Sequence, residues 1–464
     1  MNLKVSTTLK AALLLTMLFG CVESGNSAAS SMSAATPMDQ AALLQTLQAS
    51  VPAREPRVVD ALGWLEQKVT ADDGGSLDAF GWSVTIRGDT AFVGAYYASV
   101  GAGVFQGAVY VFKESAGQWT QVQKLTASDG ASGDNFGTAV AYDGSTLLVG
   151  APEAAVGSAA LQGAIYVFTE TDGVWTQRQK LVADDEPTLV RLFGISVAVV
   201  GDQALVGAHG VAVGGDNYQG TVYALARTDG TWTQTQKLTA SDGVGHDQFG
   251  QQLVMDGTTA LIGADQSTYA NDYPGPGAAY VFDFDASSGT WGQTQKLVAD
   301  DGTDADYFGR WVALSGTNAL IGAPAANDFQ GATYAFSMSG GTWTQTQKLL
   351  AADGSAGDYF GDSVAIDGTH AVVGAPGAAI DGNPVTGAAY LFDLGGAGWN
   401  QTGKLTSSDG TTGDEFGYAV ALRGDDTVFA GAPHPTDDGS GSAGTGYFYS
   451  RDAIFADGFD GSDP

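Results

Sequence analysis

Cysteine is almost absent: Cys21 is the only one in 464 residues, so no disulfide can form within the chain. Four histidines and one cysteine leave little from which to build a zinc or iron–sulfur centre. Basic residues are also scarce, with 19 Lys and Arg against 51 Asp and Glu, a formal charge of -32. Nucleic acids and anionic membrane surfaces are bound through clustered Lys and Arg, so neither is an expected partner. There is no Gly-x-Ser-x-Gly elbow and no His-Glu-x-x-His helix motif. What is present is glycine, 67 residues, together with 44% hydrophobic residues. That excludes a disordered composition and points to many tight turns between short buried segments.

The first twenty residues read as a signal peptide. Lys4 and Lys10 precede the apolar run Ala11–Phe19, which is too short to span a bilayer core of about 30 Å as a helix. Leu18-Phe19-Gly20-Cys21 resembles a bacterial lipobox, which implies cleavage before Cys21, its acylation, and a lipoprotein. Val22 in the next position resembles outer-membrane sorting, with plain secretion as the alternative. Residues 21–60 are rich in Ser and Ala with scattered Pro, a tether with one short helix over 39–48. Residues 451–464 form a short acidic tail.

Between tether and tail, over 61–450, one unit is repeated seven times. Phe-Gly begins at 80, 136, 193, 249, 308, 360 and 416, at intervals of 56, 57, 56, 59, 52 and 56. Gly-Ala follows at 94, 150, 207, 263, 322, 374 and 431, extended to Gly-Ala-Pro in four copies, and then comes Gly-x-x-Tyr. A Trp-led segment carrying a Lys closes each of the first six units, as in Trp119-Thr-Gln-Val-Gln-Lys-Leu125. Each unit holds four short apolar runs, and Asp-Gly between alternating runs is a hairpin signal. Seven four-stranded antiparallel units predict an all-β, seven-bladed propeller. The last unit lacks its Trp-led strand, and Trp64–Val69 supplies one at the other end of the chain. The N-terminal strand is therefore expected to be the outer strand of the last blade and to close the ring. Seven of the eight lysines beyond the signal peptide fall in the Trp-led strands, where they are expected to guard an exposed edge.

Phe-Gly followed about thirteen residues later by Gly-Ala-Pro resembles the FG-GAP repeat of the integrin α-subunit N-terminal propeller. The fuller unit, as in Lys124 to Gly137, is similar to bacterial FG-GAP proteins, which implies an adhesion or binding module. The calcium loop of integrin-type repeats, Asp-x-Asp-x-Asp-Gly between Phe-Gly and Gly-Ala-Pro, is missing here, so its metal sites are not transferred. An acidic loop before Phe-Gly recurs instead, with pairs such as Asp73 and Asp78 or Asp129 and Asp134; the third copy departs, running from Asp184-Asp185 to Arg191. Turn capping is the expected role of these aspartates, weak calcium binding the alternative, best provided for by Asp300, Asp301, Asp304 and Asp306. Arg-Gly-Asp at 87–89 and 423–425 falls on hairpin turns that need Gly for backbone reasons.

No catalytic, cofactor or metal residue is singled out by these patterns. His209, His246, His370 and His434 do not recur between units. The loop after Gly-Ala varies most and holds Tyr96, Tyr97, Phe105, Tyr218, Tyr269, Tyr273 and Phe329. Variable loops on a rigid scaffold are where binding usually lies. The expectation is a monomeric, exported, non-enzymatic module that binds a surface protein or glycan at the bacterial surface or outside the cell, touching membrane only through its lipid anchor. A polysaccharide-active enzyme and a purely structural surface protein are the alternatives.

Overall fold

The computed structural model describes residues 58–59, 63–185, 190–265, 275–433 and 443–451. Cys21, the signal and tether, the expected 39–48 helix, Tyr269, Tyr273, His434 and the tail beyond Arg451 lie outside these residues.

Alternating and continuous apolar runs separated by Gly-containing turns fold into four-stranded antiparallel sheets. In the first blade the strands are Phe80–Arg87, Thr90–Ala95, Ala108–Ser115 and Gln118–Leu125, hydrogen-bonded in that order. Five further blades repeat this order. The seventh is split, as the sequence predicts: Val420–Arg423, Thr427–Ala432 and Thr445–Arg451 are completed by Trp64–Val69. Trp64 faces Arg451 and Lys68 faces Tyr447 in that antiparallel register. Val58–Val59 then adds a fifth, outermost strand, paired to Leu65 and Glu66. The first strand of each blade contacts the first strand of the next, including the seventh against the first, so these strands line a central channel. One short helical turn, Ala326–Phe329, lies in a loop of the fifth blade.

The apolar core lies between blades. One cluster joins Phe92, Val109 and Val111 of the first blade to Phe136, Val149, Tyr166 and Trp175 of the second. Another joins Phe429 and Phe448 of the split blade to Phe80, Tyr110 and Trp119 of the first. Each such buried side chain contributes about 1.5–3 kcal/mol, which makes these seven interfaces the main stabilising term.

The repeat signature marks where blades touch. A Cβ on Gly94 would lie 2.2 Å from the carbonyl oxygen of Gly137 in the next blade, and one on Gly431 would lie 2.0 Å from that of Gly81 across the closure. Side chains at these positions would force the blades apart. The phenyl rings of Phe-Gly are fully buried and meet the Tyr of Gly-x-x-Tyr edge to face, as Phe80 does Tyr110 at 5.6 Å.

Polar contacts follow the same period. The lysines expected as edge guards have a more specific task. Lys124 Nζ lies 2.6 Å from Asp73, whose other oxygen accepts from Tyr110 OH at 2.9 Å. The same Lys–Asp–Tyr triad recurs as Lys180–Asp129–Tyr166, Lys237–Asp185–Tyr223, Lys296–Asp242–Tyr280, Lys348–Asp301–Tyr334, Lys404–Asp353–Tyr390 and Lys68–Asp409–Tyr447. Each ties an acidic loop to the two outer strands of the blade that the loop leads into, and the last one fastens the closing strand. Glutamine forms a second link. The Gln67 side chain donates to Trp119 O at 2.7 Å and accepts from Trp119 N at 2.9 Å, and this clamp recurs at six blade junctions. At the seventh junction the position is Gly403.

The closing strand is built differently. The other six Trp-led strands carry a β-bulge between Trp and Lys, whereas Trp64–Val69 is one residue shorter there and pairs without a register shift. Glu66 accepts from Ser408 Oγ at 2.6 Å, from Ser408 N at 3.1 Å and from Tyr449 OH at 3.1 Å. Tyr449 occupies the place that Phe112 holds in the first blade.

In the triads, the ammonium and phenol hold the carboxylates below the usual range. For Asp301 the bond from Lys348 is the leading cause, opposed by partial burial. A depressed carboxylate gives stability that is present above its unfolded pKa, about 4, and is lost as pH falls through the folded value. Lys348→Met should therefore lower stability by no more than about 1 kcal/mol at pH 7, since the pair is solvent-exposed. Urea midpoints measured from pH 7 down to pH 3 should show that difference closing below pH 4; a gap independent of pH would mean that the lysine acts through packing alone.

Candidate functional site

The two aspartates of each acidic loop have separate tasks. The first belongs to the triad. The second caps the backbone three residues earlier, as Asp78 accepts from Gly75 N at 2.7 Å and Asp306 from Thr303 N at 2.8 Å. Asp134, Asp247, Asp358 and Asp414 do the same. In the departing third copy Asp185 fills the first place, and Arg191 stands where the second aspartate would be, two residues before Phe. Its guanidinium, 2% exposed, bonds both Asp185 and Tyr223 OH. Among the described residues no three His, Cys, Asp or Glu side chains converge as a metal-binding group.

The variable-loop aromatics divide. Phe105 and Phe329 are 40% and 49% exposed on the loop end of the ring. Tyr218 stacks on His246. Tyr96 is buried, and Tyr97 is half-buried against it at 3.9 Å. Tyr96 meets Trp82 at 4.2 Å, Trp82 meets Tyr418 at 4.5 Å, and Tyr97 meets Phe105 at 4.7 Å. Five rings thus form one aromatic bar from the channel to the rim, Tyr418–Trp82–Tyr96–Tyr97–Phe105.

Its inner end lies in a ring of residues that the sequence reading passed over. The residue after each Phe-Gly opens the innermost strand at the loop end of the channel. Those seven positions hold Trp82, Thr138, Ile195, Gln251, Arg310, Asp362 and Tyr418, no two alike, although the Phe-Gly before them is the same in every copy. The residue after Gly-Ala adds to this mouth where it is not proline. These departures are Tyr96, His209 and Asp265. Tyr96 packs on Trp82, His209 lies beside Gln251 and Arg310, and Asp265 accepts from Arg310 Nη1 at 3.2 Å. The cavity is about 340 Å³, and among the described residues Arg310 is the one Lys or Arg lining it. Below the mouth the lining is mixed, with Ser83, Thr85, Ser196 and Gln252 beside Val84, Val140, Val197 and Leu253.

The electrostatics of the mouth are nearly self-balanced. Burial works against the Arg310 charge, but Asp265 and then Asp362 outweigh it and keep the guanidinium protonated. Burial raises Asp362 above the ordinary carboxylate value, with Arg310 opposing. Burial and then Arg310 push His209 down to about 4, against the bond with Gln251, so its imidazole is neutral at pH 7. Burial also raises Tyr96 and Tyr418, so both phenols keep their protons. The mouth thus presents fixed donors and acceptors with aromatic carbon beside them. His370, by contrast, bonds Asp393 at 2.8 Å near a hairpin turn, away from this site. Arg423, from the second Arg-Gly-Asp turn, binds Glu114 at 2.7 Å and the carbonyl of Gly88 in the first.

With the first aspartates held by Lys and Tyr and the second by backbone N–H groups, calcium should add nothing to the fold. The melting temperature should be unmoved by millimolar Ca²⁺, because a ligand bound only to the folded state must raise it. A rise abolished by Asp301→Asn and Asp306→Asn would instead identify the loops as calcium sites.

The FG-GAP repeat family matches the chain seven times, at residues 64–112, 119–168, 175–225, 232–282, 291–336, 343–392 and 399–449. Each matched segment starts on the outer strand of one blade and ends on the third strand of the next, so the first match already contains the strand that closes the ring. No curated protein matches the chain. Seven registered repeats over most of the sequence, folded as seven blades, place this chain in the FG-GAP repeat family.

Proposed function

We propose that this protein is an exported, non-enzymatic recognition module that works at the bacterial surface or outside the cell, with the loop end of the propeller as its binding face. The observation that supports the reading is the contrast within each repeat. Positions that join blades are held to one residue type, while the adjoining position at the channel mouth differs in every copy. Repetition serves the ring, and a mouth of seven different side chains serves something other than the ring. The charge of -32 directs the protein toward neutral or cationic partners, with salt weakening only the cationic case.

Export is read from the N-terminal apolar run, and anchoring from acylation at Cys21, which supports outer-membrane attachment with release as the alternative. Cys21→Ala should shift the protein from the detergent phase to the aqueous phase and remove the lipid mass. Unchanged partitioning would replace anchoring by plain secretion.

Recognition is tested on an array of glycans and bacterial and host surface proteins. Wild-type protein should be retained by a restricted set of spots, and substitutions in the loop face should remove that retention. No retained spot at all would favour a structural protein. Hydrolysis of a sugar polymer, abolished by Asp362→Asn, would make the chain an enzyme.

A further inference from the structure

The mouth has a chemistry more specific than a general binding face. Arg310 carries five N–H donors and gives one of them to Asp265; its side chain is 41% exposed to the channel. Beside it, the buried His209 imidazole is bonded to the side chain of Gln251, and Gln251 lines the cavity. The Gln251 amide can both donate and accept, and with the Arg310 donors at the same wall it is suited to a ligand that brings both donors and acceptors. Hydroxyl groups do both at each oxygen.

Charge narrows the class. Arg310 is compensated by Asp265 and faced by Asp362, so the mouth has no spare positive charge with which to hold an anion. A cation would meet the guanidinium near the axis. A neutral ligand meets neither obstacle. The aromatic bar supplies the apolar component: it runs from Tyr418 at the channel to Phe105 at the rim, with Tyr96 buried within it and Trp82, Tyr97 and Phe105 offering ring carbon beside a polar end point. The cavity, about 340 Å³, falls at the lower end of small-ligand sites, roughly 300–1,000 Å³, so it holds the end of a chain rather than its middle.

We infer that the channel mouth binds the end of a neutral glycan, with the terminal pyranose hydroxyls held by Arg310 and Gln251, which Asp265 and His209 position from behind, and the following sugars lying along the aromatic bar toward Phe105. This rests on the recognition reading above and adds the ligand class, the site and the polarity of the bound chain.

The test is calorimetric titration of the full chain with neutral gluco-, galacto- and manno-configured oligosaccharides, with and without N-acetyl groups, from one to four sugars. Oligoglucuronate and oligoglucosamine serve as charged controls. At least one neutral series should bind, its affinity rising with length, with the charged controls weaker. Arg310→Ala should weaken every length by about tenfold or more, the usual worth of a charged hydrogen bond, and Arg310→Lys should recover part of it. Phe105→Ser should leave the monosaccharide unchanged and weaken the tetrasaccharide severalfold. Melting curves confirm that each variant is folded; should Arg310→Ala fail to fold, Gln251→Ala with the same titration takes its place.

Three results would overturn the inference: no neutral sugar binding at millimolar concentration, glycan binding kept within twofold in both Arg310→Ala and Gln251→Ala, or stronger binding of a charged control. The broader reading fails separately. A protein captured on the array while no glycan binds removes the glycan site and leaves recognition standing, whereas an array that captures nothing removes recognition itself.

Discussion

The distance at which two backbones can pass decides this structure. In every blade the glycine of Gly-Ala lies so near the carbonyl of the next blade's Phe-Gly that an added Cβ would come within 1.9–2.2 Å of it. The glycine of Gly-x-x-Tyr is as close to the phenylalanine carbonyl, with a Cβ at 2.0–2.4 Å. These contacts fix how near the inner strands approach, and hence how seven blades fit around one axis. The phenylalanine between them then fills the wedge that opens toward the outside of the ring. The repeat signature is therefore a description of a joint, written once per blade because the joint occurs once per blade.

Polar links act on a smaller energy scale and at a larger radius. Exposed ion pairs contribute about 0–1 kcal/mol each, against about 1.5–3 kcal/mol for one buried aromatic or aliphatic side chain. The Lys–Asp–Tyr triads and glutamine clamps thus do little to hold the blades together compared with the apolar wedges. Their value lies in direction. A carboxylate that takes a phenol on one oxygen and an ammonium on the other fixes how each acidic loop meets the next sheet, and the loops in turn place the inner-strand residues at the channel mouth.

The fold was legible in the sequence because its determinants recur. Seven copies of Phe-Gly and Gly-Ala give strand number, blade number and, through Trp64–Val69, the closure. The triads left a trace as well: Lys124, Tyr110 and Asp73 all recur at the same period, but nothing in the period shows that residues 51 apart, Lys124 and Asp73, meet across a strand pair. The mouth was hidden for the opposite reason. Trp82, Gln251, Arg310 and Asp362 occupy one position of the repeat and share no chemistry, so a search for recurrence discards them. The non-proline residues after Gly-Ala were the usable signal, since Tyr96 packs on Trp82, His209 bonds Gln251 and Asp265 binds Arg310. Of the described loop aromatics, Tyr96 is an inner member of the aromatic bar rather than an exposed contact.

The split blade also sets an order of events. Six blades can form as their residues emerge, each against the one before. Trp64–Val69 cannot join its sheet until Thr445–Arg451 exists, almost four hundred residues later by the numbering. Contacts so distant along the chain are slow to form, because the loop must lose its freedom before the contact rewards it. The earliest strand of the seven blades is thus the last to join its sheet, and until then the nascent chain has an open edge at each end of a stack of complete blades. Glu66, Ser408 and Tyr449 make the final partner specific at that moment. The waiting strand is shorter than the bulged strands around it, which distinguishes it from them as a substitute partner and helps the chain to close on itself rather than on a neighbour.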